Sequence, residues 1–561
     1  MLFKDFAGYL EKLEKISSRL EITKVLAELI EKMSVEETDK GVYLTLGQLG
    51  PDFDNKEFNM AVKMVLRSVV DGTGLSVKEI EHKYKAKGDV GLVVEELDFK
   101  KDSTVKYSIS EVFEKLKIMA DEGGGGSQER KVARLSELLL TTSNLERKFI
   151  ARMVIGKLRL GFSEKTIFDA LSQMTSGGKT LRKELDNAFQ IYPDPGYITQ
   201  IVKEKGMLGL KNIKVKTGVP VVPALCQRLN NYKEIVEKMG VVAIERKYDG
   251  TRVQIHFNKK KNEVRTYTRN LEESSPMFPE LQDMKEWIKA DEVILDCEAV
   301  GYERKTNKVL PFQITITRKR KHDVAETAKS IPLRFFVFDM LSLNGASLIE
   351  KPYFERRKEL AKIIKANETL VTDDYFKTDD PTEVQEMHDK FLKEGFEGAV
   401  IKMWEGEYLP GRQGWNWVKI KEAEGTSGKL SDTLDLVILG YYLGRGKRSD
   451  FGIGAFLVGL TKEDKWVSIA KIGTGLTDVE FRDLKKSLDE HKTKEKPENY
   501  LVSGTLIPEV WVEPFVVVEV AADEITKSPN HAGGLAQTFP RLVKFREDKG
   551  HNQATTWKEV E

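Results

Sequence analysis

Five short stretches of the chain hold residues able to do chemistry together. In Lys247-Tyr248-Asp249-Gly250 a lysine stands two residues before an Asp-Gly step. The preceding run, VVAIERK, puts Glu245 and Lys247 on one face, because side chains alternate along an extended chain. The following run, TRVQIHF, puts Arg252, Gln254 and His256 on one face. Asp-Gly is a turn signal, so the two runs read as a hairpin; taken alone, its lysine fits a solvated turn as well as a nucleophile. In VILDCEAV, alternation sends Val293, Leu295, Cys297 and Ala299 one way and Ile294, Asp296 and Glu298 the other. Two carboxylates on an apolar strand call for a lysine partner, a divalent cation or a partly solvated sheet face. Glu397 precedes Gly398 and an apolar strand, AVIK. In WVKIK, Lys419 and Lys421 share a face, where they repel unless an anion such as a triphosphate lies between them. The run FPRLVKFREDK near the end is a basic strand and turn.

Taken as one site, these groups suit attack by a lysine on the α-phosphate of a nucleotide. The amine must be neutral to attack, and neighbouring cations favour that form. Carboxylates would hold Mg²⁺ against the phosphates, and two further lysines would stabilise the transition state.

Elements with the right period surround these stretches. The chain has 561 residues, 40% of them hydrophobic, enough for three or four ordinary domains at about 100–200 residues each. Residues 1–210 have apolar side chains at helical spacing, interrupted by DEGGGGSQ at 121–128 and YPDPG at 192–196. Residues 211–425 alternate β-branched and aromatic strands with turns and a few helices, an α+β pattern. A polar Gly/Ser/Thr stretch near 422–432 reads as a linker and hinge. Residues 426–561 hold five strands and one helical insert, the pattern of a small β-barrel.

Charge excludes little by balance, with 90 Lys+Arg against 89 Asp+Glu, so any nucleic-acid contact must be local. Residues 130–160 supply such a patch: Arg130, Lys131, Arg134, Arg147, Lys148, Arg152, Lys157 and Arg159 against Glu137 and Glu146. Arg445, Lys447 and Arg448 form a second. The 32% of charged residues fits surface ion-pair networks as well as a solvated multidomain surface. Cys226 and Cys297 are the two cysteines, which excludes a disulfide framework and points to a reducing cytosol. No apolar run reaches the ~18 residues a membrane helix needs. Gly178-Lys179-Thr180 resembles the end of a phosphate-binding loop, but Gln173 stands where that loop needs glycine and the preceding run is helical.

The order of these stretches resembles the covalent nucleotidyltransferase superfamily of DNA ligases, RNA ligases and capping enzymes, and most closely the archaeal/eukaryotic ATP-dependent DNA ligases. KYDG resembles motif I, TRNLEES carries the next family arginine, and DCEA resembles motif III. FFVFDML resembles motif IIIa, EGAVIK motif IV, WVKIK motif V and FPRLVKFREDK motif VI. GSQERKVARLSELL and RKFIARMVIGKLRLGFSEKTIFDAL are similar to the ligases' helical DNA-binding domain, and YYLGRGKRSDFG to the start of their OB-fold.

The resemblance implies an all-α N-terminal DNA-binding domain, an α+β nucleotidyltransferase (adenylation) domain and a C-terminal β-barrel OB-fold. It implies an ATP-dependent enzyme that seals nicks in double-stranded DNA. Lys247 would carry AMP. Glu245, Arg252, Arg269, Glu298, Phe338, Gln413, Lys419 and Lys421 would contact the nucleotide, with Glu298 on the ribose and Phe338 stacked on adenine. Glu298 and Glu397 would hold Mg²⁺. Larger ligases carry a basic residue six positions before the first motif V lysine; here that position is Gln413, with Arg412 beside it, and both are candidates. Arg130, Lys131, Arg152, Lys157, Arg159, Arg445, Lys447 and Arg448 would grip DNA. Arg541, Lys544, Arg546, Asp548 and Lys549 would meet the leaving pyrophosphate. The implied partners are nicked duplex DNA and, as a candidate, a sliding clamp, with a monomeric enzyme on the cytoplasmic nucleoid. An RNA ligase or capping guanylyltransferase would lack the helical domain, and a nick-binding clamp with a dead site would have lost Lys247 or an acid.

Overall fold

The computed structural model describes the chain apart from residues 100–104, 230, 307, 311–314, 316–329, 422–432, 445–447, 449–450, 522–523, 529–531, 539, 547 and 561, and the side chains of 421, 524–527 and 538. The expected linker at 422–432, Arg445, Lys447 and the side chain of Lys421 therefore lie outside the described residues. The chain divides into two compact units, Met1–Lys421 and Glu422–Glu561.

The first unit opens with helices from Phe3 to Lys205. Their apolar spacing places one stripe of each helix inward: Phe3, Phe6, Leu10 and Leu13 of the first helix are fully buried. Local chemistry sets the ends. Ser143 and Glu146 form a capping box at the start of Asn144–Val154, satisfying amides that the helix leaves unpaired. Asp194 caps Pro195–Lys205 and accepts from the Tyr43 hydroxyl at 2.7 Å, tying two helices together.

Two sheets follow. The first has the order β1 (Gln227–Arg228), β11 (Trp417–Lys421), β10 (Gly398–Met403), β2 (Val242–Arg246), β9 (Tyr375–Thr378). Ile244, Ala399, Ile401, Val418 and Ile420 bury its outer face against the helices Tyr232–Met239 and Pro381–Lys393. The second has the order β4 (Glu263–Thr268), β3 (Thr251–Asn258), β5 (Glu292–Gly301), β6 (Leu333–Leu343), β7 (Ala346–Ser347), with β8 (Leu370–Thr372) beside β6. Val253, Ile255, Val293, Leu295, Cys297, Phe335 and Val337 bury one face of it, with Leu360 of the helix Tyr353–Ile363. The remaining faces of both sheets carry the polar residues.

One expectation fails here. The runs on either side of Asp249-Gly250 are not a hairpin: β2 belongs to one sheet and β3 to the other. The chain crosses between sheets at this point. Gly250 serves a close approach, since a Cβ there would lie 2.6 Å from the carbonyl oxygen of Ala299.

In the second unit, β12 (Leu434–Tyr442) pairs with β13 (Ala455–Lys462), β17 (Val510–Val512) and β18 (Val517–Ala521). A strand with three partners belongs to a curled sheet, which is the small barrel the strand spacing suggests. β14 (Lys465–Ile472), β15 (Lys492–Thr493), β16 (Tyr500–Leu501) and β21 (Arg541–Phe545) complete it, with β19 (Glu524–Lys527) and β20 (Leu535–Thr538) as a separate pair. The helix Asp478–Asp489 packs Phe481, Leu484 and Leu488 into its core.

Candidate active site

A cavity of about 420 Å³ opens where the polar residues of the two sheets meet, and Glu245, Lys247, Arg252, Arg269, Glu298, Phe338, Glu397 and Lys419 all line it. They come from eight places in a span of 175 residues, so register must bring them together. Glu245 stands opposite Val400, which stands opposite Lys419, so one cross-strand row runs from motif I to motif V. Beyond the end of β2, Lys247 N–H donates to the Gly398 carbonyl at 3.0 Å, and Glu397 N–H donates back to the Lys247 carbonyl at 3.1 Å. This reciprocal pair lays motif I against motif IV. It also lets the Lys247 ammonium form an ion pair with the Glu397 carboxylate. In the other sheet, Arg252 stands opposite Glu298.

The charged groups are paired in specific ways. Arg252 donates through Nε and Nη2 to the two oxygens of Asp296, at 3.0 and 2.6 Å, a fork that fixes the guanidinium plane. Asp296 is fully buried and accepts also from the Tyr408 hydroxyl at 2.7 Å. Burial pulls Arg252 toward neutrality, but the Asp296 carboxylate more than offsets it and the guanidinium stays charged. Among the described residues, Glu298 has no such fork. Burial pushes its carboxyl up to about 8, with Arg252 and Lys247 pulling the other way. Gln254 and His256, which share the Arg252 face, bind the backbone of Val221 and Gly218 instead. They thus anchor the segment leading to Leu225 and Cys226 in the pocket wall. Burial drops His256 to about 3, so it stays neutral and accepts from Gly218 N–H through Nδ1.

Several residues of this pocket escaped the sequence reading. Lys402 is 1% exposed, with Nζ 2.6 Å from the Glu245 carboxylate and 4.4 Å from the centres of both the Phe338 and Trp417 rings. Alternation along β10 puts it on the same face as Val400, a signal that could have found it. Tyr353, whose hydroxyl donates to the other Glu245 oxygen, lies on a distant helix and left no local signal. Asp373 also lines the pocket, accepting from the Tyr248 hydroxyl at 2.9 Å. Burial, helped by Glu245, pushes its carboxyl up to about 7.

Two sets of expectations need correction. Gln413 is not in the pocket wall; its amide binds Gln190 and the Pro410 carbonyl, while the neighbouring Arg412 lines the pocket. Half of the patch at 130–160 is internal: Lys131, Arg147, Lys148 and Arg152 are buried, while Arg130, Arg134, Lys157 and Arg159 are exposed. Lys131 donates to the Phe58 carbonyl at 2.8 Å, Arg152 pairs with Asp89 and Glu14 at 2.9 and 2.8 Å, and Lys148 pairs with Glu14 and Glu95. Their partners lie far off in the chain, on helices at Glu14 and Glu95 and outside helices at Phe58 and Asp89, so a count of local acids misses them. Lys131 and Arg152 are therefore withdrawn as DNA contacts. Arg130, Lys157 and Arg159 are exposed, with Arg130 on Glu122 and Arg159 on Asp89. Lys179 pairs with Asp169 after a helix and makes no phosphate loop.

In the second unit, Arg448 donates to the Gly454 carbonyl at 2.7 Å. Of the motif VI residues, Arg546 binds Asp435 and Asp548, Lys549 binds Asp435, Lys544 binds Glu519, and Arg541 begins β21.

Two sheets around a pocket of lysines, arginines and carboxylates suit nucleotidyl transfer. Models of three families match the chain: DNA ligase N terminus over residues 2–172, ATP dependent DNA ligase domain over 223–421, and ATP dependent DNA ligase C terminal region over 449–549. The probable DNA ligase of Dictyoglomus turgidum is 40% identical over 100% of this chain and 97% of its own length. The DNA ligase of Staphylothermus marinus is 35% identical over 100% and 98%. The solved structure of Pmar-Lig_Pre shares the fold, with a TM-score of 0.57 at 17% identity over 97% of this chain and 99% of that one. The chain belongs to the ATP-dependent DNA ligase family. No helix among the described residues is long and apolar enough to cross a membrane.

Proposed function

We propose that the protein uses ATP and Mg²⁺ to seal nicks in duplex DNA, through AMP carried on Lys247. The observation that carries this reading is the clasp of Lys247 on Glu397 within the cavity that also holds Glu245, Arg252, Arg269, Glu298, Phe338 and Lys419. In the first step Lys247 Nζ bonds to the α-phosphorus as the bond to the bridging oxygen breaks, and pyrophosphate leaves. Glu397, already paired with the ammonium, stands ready to take its proton. AMP then passes to the 5′-phosphate of a nick, and the 3′-hydroxyl displaces it.

Phe338 offers a ring face for the adenine, with Arg252, Arg269, Lys419 and Lys421 for ribose and phosphates. Arg412 replaces Gln413 in that set. Mg²⁺ commonly takes one or two carboxylates and fills its other positions with water and substrate phosphate. Glu298 and Glu397 on one cavity fit that habit. When bound, the ion would neutralise phosphate charge.

Residues 1–210 would bind DNA, with Arg130, Lys157 and Arg159 on phosphates, and Arg448 helping from the C-terminal domain. Residues 211–425 would adenylate. Residues 426–561 would swing, bringing Arg541, Lys544, Arg546, Asp548 and Lys549 to the pyrophosphate in the first step alone. The enzyme would work as a monomer on the nucleoid, with a sliding clamp as a candidate partner.

The test is covalent labelling. Protein treated with pyrophosphate to remove resident AMP is incubated with Mg²⁺ and ATP labelled at the α-phosphate. Wild type takes acid-labile label and passes it to a nicked duplex, while Lys247→Ala takes none. Wild type that labels with neither ATP nor GTP would refute the ligase reading.

A further inference from the structure

In the C-terminal unit, three adjacent strands align Asp435, Glu519 and Lys544 in one cross-strand row. Asp435 of β12 is the register partner of Glu519 of β18, which is the partner of Lys544 of β21. Two carboxylates directly opposite one another repel unless a cation lies between them. Arg546, just past the end of β21, supplies it. Its Nη1 lies 2.9 and 3.1 Å from the two Asp435 oxygens and 3.5 Å from Glu519. Its Nε and Nη2 reach Asp548 at 2.9 and 2.7 Å. Lys549 completes the group, with Nζ 2.6 Å from Asp435.

Asp435 thus holds two cations of motif VI at once. Its side chain is 13% exposed, against 65% for Asp548. Its backbone is pinned at both ends, accepting from Thr555 N–H at 2.8 Å and donating to the Thr555 hydroxyl at 3.0 Å. A guanidinium and an ammonium gathered on one fixed carboxylate cannot drift apart under their own repulsion. They are held as a pair, which is what a polyphosphate needs from two cations.

We propose that Asp435 is a positioning residue for the first chemical step. It touches no substrate; it gathers Arg546 and Lys549 so that both meet the leaving pyrophosphate. The inference rests on the reading of motif VI given above.

The test separates the first step from the last. Full-length Asp435→Asn and Asp435→Glu are compared with wild type in two single-turnover assays. One follows adenylation of Lys247 over a range of ATP concentrations. The other follows sealing of a nicked duplex already carrying AMP on its 5′-phosphate, which needs no ATP. Asp435→Asn should lower kcat/KM for adenylation roughly ten- to hundredfold, the scale of a lost charge-assisted hydrogen bond. Sealing of the pre-adenylated nick should stay within about twofold of wild type. Asp435→Glu, which keeps the charge but moves it by a methylene, should fall between. Adenylation at or above the wild-type rate in Asp435→Asn would overturn the proposal, because the carboxylate would then only compete with phosphate. Equal loss in both assays would also overturn it, as a purely structural role. If Asp435→Asn does not fold, the same split is read on Asp435→Glu, where unchanged adenylation refutes the idea. Wild type that takes no label from ATP would instead sink the ligase reading itself.

Discussion

Lys402 and Glu245 form a buried pair whose removal has a calculable consequence. Glu245 is 2% exposed and Lys402 is 1% exposed. The lysine's contacts include the carboxylate at 2.6 Å, the Phe338 carbonyl at 3.2 Å and the faces of three aromatic rings, Phe338, Trp417 and Tyr353. Lys402→Met keeps most of the stem's volume and deletes the charge. It strands a carboxylate whose other partner is the Tyr353 hydroxyl. Stranding one member of a buried ion pair costs about 3–5 kcal/mol. For a unit of this size that is a fall of about 4 °C in Tm. Glu245→Gln should cost a similar amount from the other side. The double variant carries no unpaired charge and should recover to within about 1–2 kcal/mol of wild type. Calorimetric unfolding of the four proteins gives the coupling directly. Strict additivity of the two single losses, or a Lys402→Met protein melting with wild type, would refute the idea that this pair shapes the pocket. The function follows the same arithmetic: ATP affinity should drop in both single variants, since Glu245, an expected nucleotide contact in the pocket wall, loses its fixed direction or its charge.

Further outcomes follow from other contacts. Gly250→Ala should slow adenylation severely while melting within a few degrees of wild type, because the new Cβ meets the Ala299 carbonyl at 2.6 Å and Glu298 Cγ at 2.9 Å; unimpaired labelling would show that the crossing has slack. Glu298, pushed up to about 8 by burial, keeps its proton in the folded state after the unfolded chain has lost it. Its contribution to stability is therefore fully present below about pH 4.5 and falls as pH rises toward 8, by at most about 1.4 kcal/mol per unit. Glu298→Gln should flatten that decline in denaturant titrations run from pH 5 to 8, and an unchanged slope would count against it. Arg152→Ala should destabilise by about 3 kcal/mol, the low end for a broken buried pair because the exposed Arg159 still faces Asp89, at an unchanged salt slope of DNA binding. A triple replacement of Arg130, Lys157 and Arg159 by alanine should do the reverse, which binding titrations against salt concentration would check.

Legibility in the sequence followed the range of the interactions. Alternation correctly divided VILDCEAV, since Cys297 and Leu295 face the core while Asp296 and Glu298 face the other way. Such a division needs only the neighbours along one strand. The supposed hairpin at Asp249-Gly250 failed because a turn signal does not say which sheet the next strand joins. The glycine there answers to Ala299, 49 positions on. The basic patch failed for a related reason. Helical periodicity puts Arg152 inward, but a charged residue inward needs partners, and Asp89 and Glu14 stand 63 and 138 positions away. Arg412 and Gln413 were equally plausible neighbours until Gln190 engaged one of them.

The failures share a direction, and it bears on how the pocket works. Three cations there are already committed: Lys247 to Glu397, Arg252 to Asp296, Lys402 to Glu245. The commitments differ in depth. Asp296 and Glu245 are shut away at 0% and 2% exposure, so no incoming phosphate displaces them. Arg252 and Lys402 accordingly act as fixed charges, oriented before the nucleotide arrives, the arrangement that costs least reorganisation during reaction. The Lys247–Glu397 pair is open on both sides, each side chain 19% exposed. On the proposed reading it is the one that must break, because a lysine bound to a carboxylate as an ammonium cannot attack phosphorus. A single exchange, with the proton leaving Lys247 and Glu397 releasing the amine, would convert the resting pocket into a reactive one. The deeper pairs hold the remaining walls still while it happens.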